Sequence, residues 1–509
     1  MNTLFAESFV AGSYKYRDRV ISSQSSVNLY TERTDPNGSG KFRNVLVPLC
    51  GLTRLFQFNA KPVRALYVCN GPNNDQYLWA VVGNSVYRIH PDLQNYTHVG
   101  TLGDTDQNKV SIADNGFDIV FADGTTGVLW RADQTADDNS VSITAVNLPT
   151  YSWGDRVDQV ITPTQVQMLN QRFLIDGAQD GFGIVFFSEL SSTDFVDPYG
   201  KTNFFTAESS SDQIVAIKAI SGAGKLWIFG ERSYEIWSVS ESGYLVFESA
   251  DGANFGCNSR DSVSVLGTHI YWQGASNVGY NSFYMSDAGR PNPERISTNA
   301  IEHELESYSD KYGISCAYSY EGHEFYICSF VGSDKSWCFD RSTGEWHERA
   351  ERDYSAAVNR RWDVLQTQVF DNRIITGSSK GQVSFIDYEN RNQLDGNPIY
   401  VERTSPTYCS SDNNVILREL YLDISQGTTP ILEGTHANPR IRLSVSLDGG
   451  YTFDDYDWRD MGSSGDYVNS TKWHNLGISR DIVIRIAISS PIKYTINGVR
   501  LTVQECRRN

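Results

Sequence analysis

The sequence has 509 residues, a formal net charge of −18 from 61 acidic and 43 basic side chains, and 12% aromatic content beside 41 glycines and only 4 methionines. That length allows one large domain with one or two smaller ones, and the aromatic and glycine content favours strands and tight turns over helices. The charge sets the surface against nucleic acid, and with no apolar run near about 18 residues a membrane-spanning helix is excluded.

Residues 1–60 read as an N-terminal arm with few clear strands and a polar loop at Asp35-Pro-Asn-Gly-Ser-Gly40, suited to packing on another part of the fold or on another subunit. The N-terminus lacks a basic stretch followed by an apolar core, so no signal peptide is expected. From 61 to 395 a hairpin rhythm takes over. Its first unit is Val63-Arg-Ala-Leu-Tyr-Val, a Gly71-Pro72 turn, Tyr77-Leu-Trp-Ala-Val-Val, a Gly83-Asn84 turn and Ser85-Val-Tyr-Arg-Ile. Its second is Lys109-Val-Ser-Ile-Ala, Asn115-Gly116, Phe117-Asp-Ile-Val-Phe, Asp123-Gly124 and Gly127-Val-Leu-Trp. Short β-branched and aromatic runs split by dipeptides that tolerate positive φ mark antiparallel strands joined by hairpins.

Five further centres fall at 172–188, 225–238, 269–286, 323–347 and 373–387. Spacings of roughly 40 to 55 residues fit four-stranded propeller blades better than a large sandwich, the alternative arrangement. Propellers commonly share one blade between the two ends of the chain, so seven hairpins imply six or seven blades, with six favoured. Trp337 and Trp346 flank a Ser-Thr-Gly turn and are expected to fill the space between blades. Asn299 to Tyr308 breaks the rhythm: Asn299 as a cap, Glu302 three residues on, and Ile301, Leu305 and Tyr308 on one face predict a short helix.

After a polar link at 390–398, residues 396–509 form a separate β module. Its strands are Glu419-Leu-Tyr-Leu-Asp-Ile, Ile441-Arg-Leu-Ser-Val-Ser-Leu, Ile482-Val-Ile-Arg-Ile-Ala-Ile and Tyr494-Thr-Ile-Asn-Gly-Val-Arg-Leu. A small β-sandwich is expected, with Val483 and Ala487 making the second face of their strand partly apolar.

Several motifs order themselves as in one family. Val27, Asn28, Tyr30 and Glu32 form a V-N-x-Y-x-E run, followed by Leu46-Val-Pro-Leu-Cys-Gly-Leu52, the Arg64 strand, Asp114-Asn115-Gly116 and Asp123-Gly124. In this order they resemble the packaged-DNA stabilisation proteins of short-tailed bacteriophages, the tail hub or nozzle. Cys50 stands where the family has proline and Ala65 where it has glycine. Ser297, Ala300 and Glu302 match a further S-x-x-A-x-E segment, and 446–453 with 473–477 resemble the family's closing module. The resemblance implies a non-enzymatic virion protein, a homohexameric tube below the portal and its adaptor (head-to-tail connector) protein. Such a tube would extend the DNA channel, retain packaged DNA, and dock tail spikes or fibres and needle or tip proteins. Double-stranded DNA would pass transiently along an acidic wall, with no membrane insertion. Assembly in the bacterial host cytoplasm agrees with eight scattered cysteines that lack C-x-x-C spacing and read as reduced thiols.

Chemistry finds little purchase. Ser446-Leu-Asp448-Gly-Gly450-Tyr-Thr452-Phe453 fits the Asp-box turn of sialidase-like propellers, a structural device. Asp114, Asp123, Asp287 and Asp340 sit at expected turns, where aspartate serves the backbone. Ser221-Gly-Ala-Gly-Lys225 lacks the full phosphate-loop pattern and reads as a hairpin turn. His303-Glu304 lacks the second histidine of a zinc helix, and Arg360-Arg361 and Arg507-Arg508 read as solvated or locally paired. No catalytic, cofactor-binding or metal-ligating residue is assigned. The alternative is a carbohydrate-binding or glycan-hydrolysing propeller of the phage tail, which requires acids and aromatics clustered in a central cleft. A secreted bacterial propeller is disfavoured by the missing signal peptide.

Overall fold

The computed structural model describes residues 2–505 except 6, 16, 19–20, 35–42, 104–108, 125–126, 154, 178–182, 208–211, 252–254, 276–280, 410–412, 426–437, 463–464 and 467–470. The loop at 35–40, Cys506 and the Arg507-Arg508 pair therefore lie outside the described residues. Six four-stranded antiparallel units span 63–101, 111–145, 166–206, 214–251, 264–295 and 313–348. A seventh joins three strands within 366–387 to Gly51–Gln57, which pairs antiparallel with Gln382–Asp387 as the fourth strand. The first strand of every unit lines one axial cavity, so the seven are the blades of a single propeller.

Seven blades replace the six favoured from the sequence. The ends of the ring do share a blade, but the shared blade is the seventh hairpin completed by an N-terminal strand. Sharing supplies its missing edge and subtracts nothing from the count.

Central strands of the blades are buried on both faces because each blade is covered by its neighbours. Aromatic rings fill those seams: Trp79 meets Phe121 at 5.9 Å, Trp227 meets Trp272 at 6.0 Å, and Phe283 meets Trp346 at 5.0 Å. Trp337 and Trp346 are buried as expected, their indole N–H groups donating to the Tyr308 hydroxyl (3.0 Å) and the Ile296 carbonyl (2.8 Å). The helix is Asn299–Glu306, and its cap is Thr298, not Asn299: the Thr298 hydroxyl accepts from the Ile301 N–H at 3.4 Å. Glu302, one position too late for a capping box, instead accepts from Arg295 Nε (2.6 Å) and the Ser297 hydroxyl (2.5 Å).

Two sheets make the C-terminal sandwich. One orders Leu29–Thr34, Arg43–Pro48, Ile496–Glu505, Val415–Ile424 and Thr471–His474, with Asn2–Phe5 also on Ile496–Glu505. The other runs Ser23–Val27, Val401–Thr404, Asp481–Ile488, Arg440–Ser446 and Asp454–Asp455. Leu29, Leu46, Leu420, Leu443, Ile484 and Ile486 are among the buried side chains between them. The first 60 residues thus carry more strand than their sequence suggests. Ser23–Val27 escapes periodicity because its buried face is polar, with the Ser26 hydroxyl satisfied by the Leu29 carbonyl at 3.0 Å.

Propeller and sandwich share one continuous sheet: Val27 pairs in parallel with Glu348, the outer strand of the sixth blade. Asn28 locks this joint. Its Nδ2 donates to the carbonyls of Ala350 and Tyr400 at 2.8 Å each, and its Oδ1 accepts from the Ala350 N–H at 2.9 Å. Its backbone N–H donates to the Glu348 carbonyl at 2.9 Å, and the Leu49 N–H donates to its carbonyl at 3.1 Å. The residue is 2% exposed with φ +57°, a left-handed conformation that asparagine tolerates better than most residues. Asn28→Ala removes three side-chain hydrogen bonds, strands buried partners and strains the backbone. It should destabilise the chain by on the order of 3 kcal/mol, read as a lower thermal midpoint; an unchanged melt would contradict this account of the joint.

Candidate functional site

The axial cavity holds about 300 Å³ and draws its lining from all seven blades. Three of its side chains are cationic, Lys109, Lys218 and Arg260, against one carboxylate, Asp261. Arg260 and Asp261 come from the short turn Arg260–Ser262 that leads into the inner strand of the fifth blade. Arg260 Nε donates to Asp261 Oδ1 at 2.9 Å, while its other nitrogens reach the carbonyls of Lys109 (3.3 Å), Gly124 (3.4 Å) and Thr164 (3.4 Å). The Lys109 N–H donates to Asp261 Oδ2 at 3.3 Å, and its ammonium donates to the Ser315 carbonyl of the sixth blade. Side chains from the fifth blade to the second and third, and from the second to the sixth, therefore cross the axis.

Burial alone would push the Asp261 carboxyl up, but Arg260 and Lys109 hold it below the ordinary range. Burial pulls the Lys109 ammonium down, against Asp261. Lys218 is pulled to about 8, by burial first and by the Lys109 ammonium second. Neutral groups around them stitch blade to blade. Gln165 Oε1 accepts from the Ile217 N–H (3.1 Å), Gln167 Oε1 from the Ala219 N–H (3.3 Å), and Gln366 Nε2 donates to the Arg64 carbonyl (3.0 Å).

A lateral cavity of about 490 Å³ lies beside the hairpin Ala350–Asp353 and Val358–Arg361. Asp334, Glu351, Asp353, Asp363 and Asp395 line it with Arg352, Arg360, Arg361 and Lys380. Arg361 reaches Asp363 at 3.1 Å, and Arg360 reaches Asp334 at 3.3 Å and Asp353 at 3.6 Å, so the basic pair at 360–361 is locally paired. Burial first, then the Asp363 carboxylate, pushes the Glu351 carboxyl up to about 7.

Neither cavity contains the turn aspartates picked out in the sequence. Asp114, Asp287 and Asp340 accept backbone N–H groups of their own turns, from Gly116 (3.1 Å), Gly289 (2.9 Å) and Ser342 (3.0 Å), and Asp123 is fully buried. Asp448 clamps its turn by accepting from the N–H groups of Tyr451 (3.0 Å) and Thr452 (2.9 Å) and the hydroxyls of Ser446 and Thr452, bonds that hold it well below the carboxylate range. Residues 221–224 turn between the strands Ile214–Ile220 and Lys225–Gly230, with Gly224 at φ +62°. Among the described residues no cluster of three His, Cys, Asp or Glu side chains could hold a metal ion.

Family comparison also divides the chain in two, although the propeller match takes in N-terminal strands that the structure places in the sandwich. Residues 10–389 match the family described as bacteriophage P22 Gp10, beta-propeller, and residues 402–504 match bacteriophage P22 Gp10, beta-sandwich. The chain belongs to the P22 Gp10 family. It is accordingly a structural protein of a phage virion, packaged-DNA stabilisation being the family's designation. No curated protein is significantly similar in sequence. Similar solved structures include the computationally designed Ika8 protein (13% identity, TM-score 0.35, covering 72% of this chain and 99% of that one). Others are the N-terminal domain of Nup159 (9%, 0.40, 71% and 98%) and a chain of the mitotic checkpoint complex (9%, 0.38, 65% and 92%).

Several of the motif residues that resemble the P22 Gp10 family form joints between parts of the fold. Val27 and Asn28 fasten propeller to sandwich, and Tyr30 packs edge-on against His323 (4.9 Å) and Phe325 (5.5 Å). Buried Arg64 donates to the Gly83 carbonyl at 3.0 Å and to the Asp123 carbonyl at 2.5 Å, tying the first blade to the second. The axial cations were not singled out from the sequence, although Lys218 at the centre of the apolar run Ile214-Val-Ala-Ile-Lys-Ala-Ile is a visible signal.

Glu351 gives the lateral cavity a pH signature. Its folded pKa of about 7 lies above its ordinary value of 4.5, so the native state keeps a proton that the unfolded chain releases, and stability falls as pH rises between those values. Glu351→Gln should flatten that decline and gain on the order of 1–2 kcal/mol at pH 8 relative to pH 5, measured as the shift in urea midpoint against the parent chain.

Proposed function

We propose that this chain is the tail hub, or nozzle, of a short-tailed phage: a homohexameric tube beneath the portal and its adaptor protein. It extends the DNA channel, helps retain the packaged genome and carries tail spikes or fibres and tip proteins. The observation that carries this reading is the match of both halves, in order, to one phage structural family. The crossed axial cavity is consistent with it, because a space of about 300 Å³ spanned by Arg260 and Lys109 admits no duplex whose major groove alone is about 12 Å wide. The DNA lumen must then be built between copies, by a repeated head-to-tail interface that closes a ring. A formal charge of −18 suits a wall past which phosphates slide without binding. Seven free cysteines among the described residues, five of them buried, suit assembly in the host cytoplasm.

A second reading, a carbohydrate-binding or glycan-hydrolysing propeller of the same tail, draws on the Glu351 and Asp363 carboxylates in the lateral cavity. Glycan turnover that Glu351→Gln and Asp363→Asn each abolish would favour it over the hub.

Immunogold labelling of phage particles tests the hub reading. Label is expected at one vertex, between capsid and spikes. Label confined to peripheral appendages, or intact particles without label, would overturn it.

A further inference from the structure

The axial cavity carries an unbalanced charge inside an acidic protein. Its lining offers three cations and one carboxylate. Asp261 is already engaged by Arg260 Nε and the Lys109 N–H, and the nearby buried Asp176 accepts from the N–H groups of Thr164 and Gln165 at 2.7 Å each. Lys218 has no hydrogen-bond or ion-pair partner among the described residues, although it sits on the inner strand Ile214–Ile220 and lines the cavity. Among the described residues Lys109 Nζ has one hydrogen-bond acceptor, the Ser315 carbonyl, which leaves N–H groups to give. Cations gathered on one half-open cavity in excess of its carboxylates are unfavourable, and the Lys218 and Lys109 ammonium groups, which repel one another, are relieved by an anion between them.

We propose that the axial cavity is a binding site for a small divalent oxyanion of the phosphate class, held by the ammonium groups of Lys218 and Lys109. Gln368 supplies a further polar group on the lining. Lysine suits such a ligand because it acts as a point charge on phosphate, and about 300 Å³ accommodates a tetrahedral oxyanion with water. Seven inner strands converge on this cavity, so the anion acts as a hub pin that neutralises the axis and draws blades two and four together.

Two measurements on the full chain test the site. In the first, thermal unfolding is followed against phosphate and, separately, sulfate, with chloride making up constant ionic strength. A saturable rise in midpoint is expected for the parent chain, as for any ligand that binds only the native state, and its loss is expected in Lys218→Met. A rise that chloride reproduces, or one that Lys218→Met retains, would overturn the proposal. The second needs no variant and decides the matter if Lys218→Met fails to fold. Acetic anhydride modification of Lys218 at neutral pH is read by mass spectrometry with and without phosphate. An anion that raises the Lys218 pKa by about one unit cuts its reactive neutral fraction about tenfold. Protection of that order at Lys218, without protection of exposed lysines, supports the site; equal modification in both conditions refutes it.

Discussion

One asparagine side chain holds the two halves of this molecule in register. Every hydrogen-bonding group of Asn28 used at the joint faces backbone, so the contact depends on main-chain geometry and is indifferent to side-chain variation around it. A buried amide with its donors and acceptor filled is directional where apolar packing is not. The same residue bends the chain through a left-handed conformation, sending Ser23–Val27 into one sheet of the sandwich and Leu29–Thr34 into the other. A neighbouring buried cation repeats the strategy. Arg403 donates to the carbonyls of Phe9 (2.7 Å) and Gly12 (3.0 Å); buried Arg349 instead lies over the rings of Phe325 (4.6 Å) and Trp362 (5.0 Å) and donates to the Tyr318 hydroxyl.

The propeller spends its axis on internal cohesion. Glutamines and serines of the inner strands bond to the next strand, and Arg260 and Lys109 reach across the opening, leaving a small polar cavity on the axis. A structural role is compatible with blades bonded to one another in this way. The outer faces and the lateral hairpins are then the surfaces free for contact with other virion proteins.

Much of the propeller was readable because its turns are local. Asn115 accepts from the N–H groups of Phe117 (3.0 Å) and Asp118 (2.8 Å), so the Asn-Gly signal encodes its own geometry. The central strands, being buried on both faces, carry unbroken apolar runs. The blade count was less legible because closure depends on Gly51–Gln57 finding Gln382–Asp387, a pairing with no local signature. Ser23–Val27 was invisible for a different reason: strand periodicity reports contrast between apolar and polar faces, and a strand that buries mostly polar side chains has none. At the helix, the residue before Asn299 won the cap because its extended backbone places the hydroxyl over the first turn. The charged groups of the axial site come from the second, fourth and fifth blades, and only the lone lysine in its apolar strand hinted at them.

The closing strand has a further consequence, for biosynthesis. Residue 51 pairs with residue 387, and residue 2 with residue 503. Each of these early strands is therefore made long before its partner and waits unpaired while the intervening chain is translated. An apolar strand left waiting would be open to wrong pairing. Ser23-Gln-Ser-Ser-Val27 offers one apolar side chain to a wrong partner, so the polarity that hides it from pattern recognition also disfavours mispairing during synthesis.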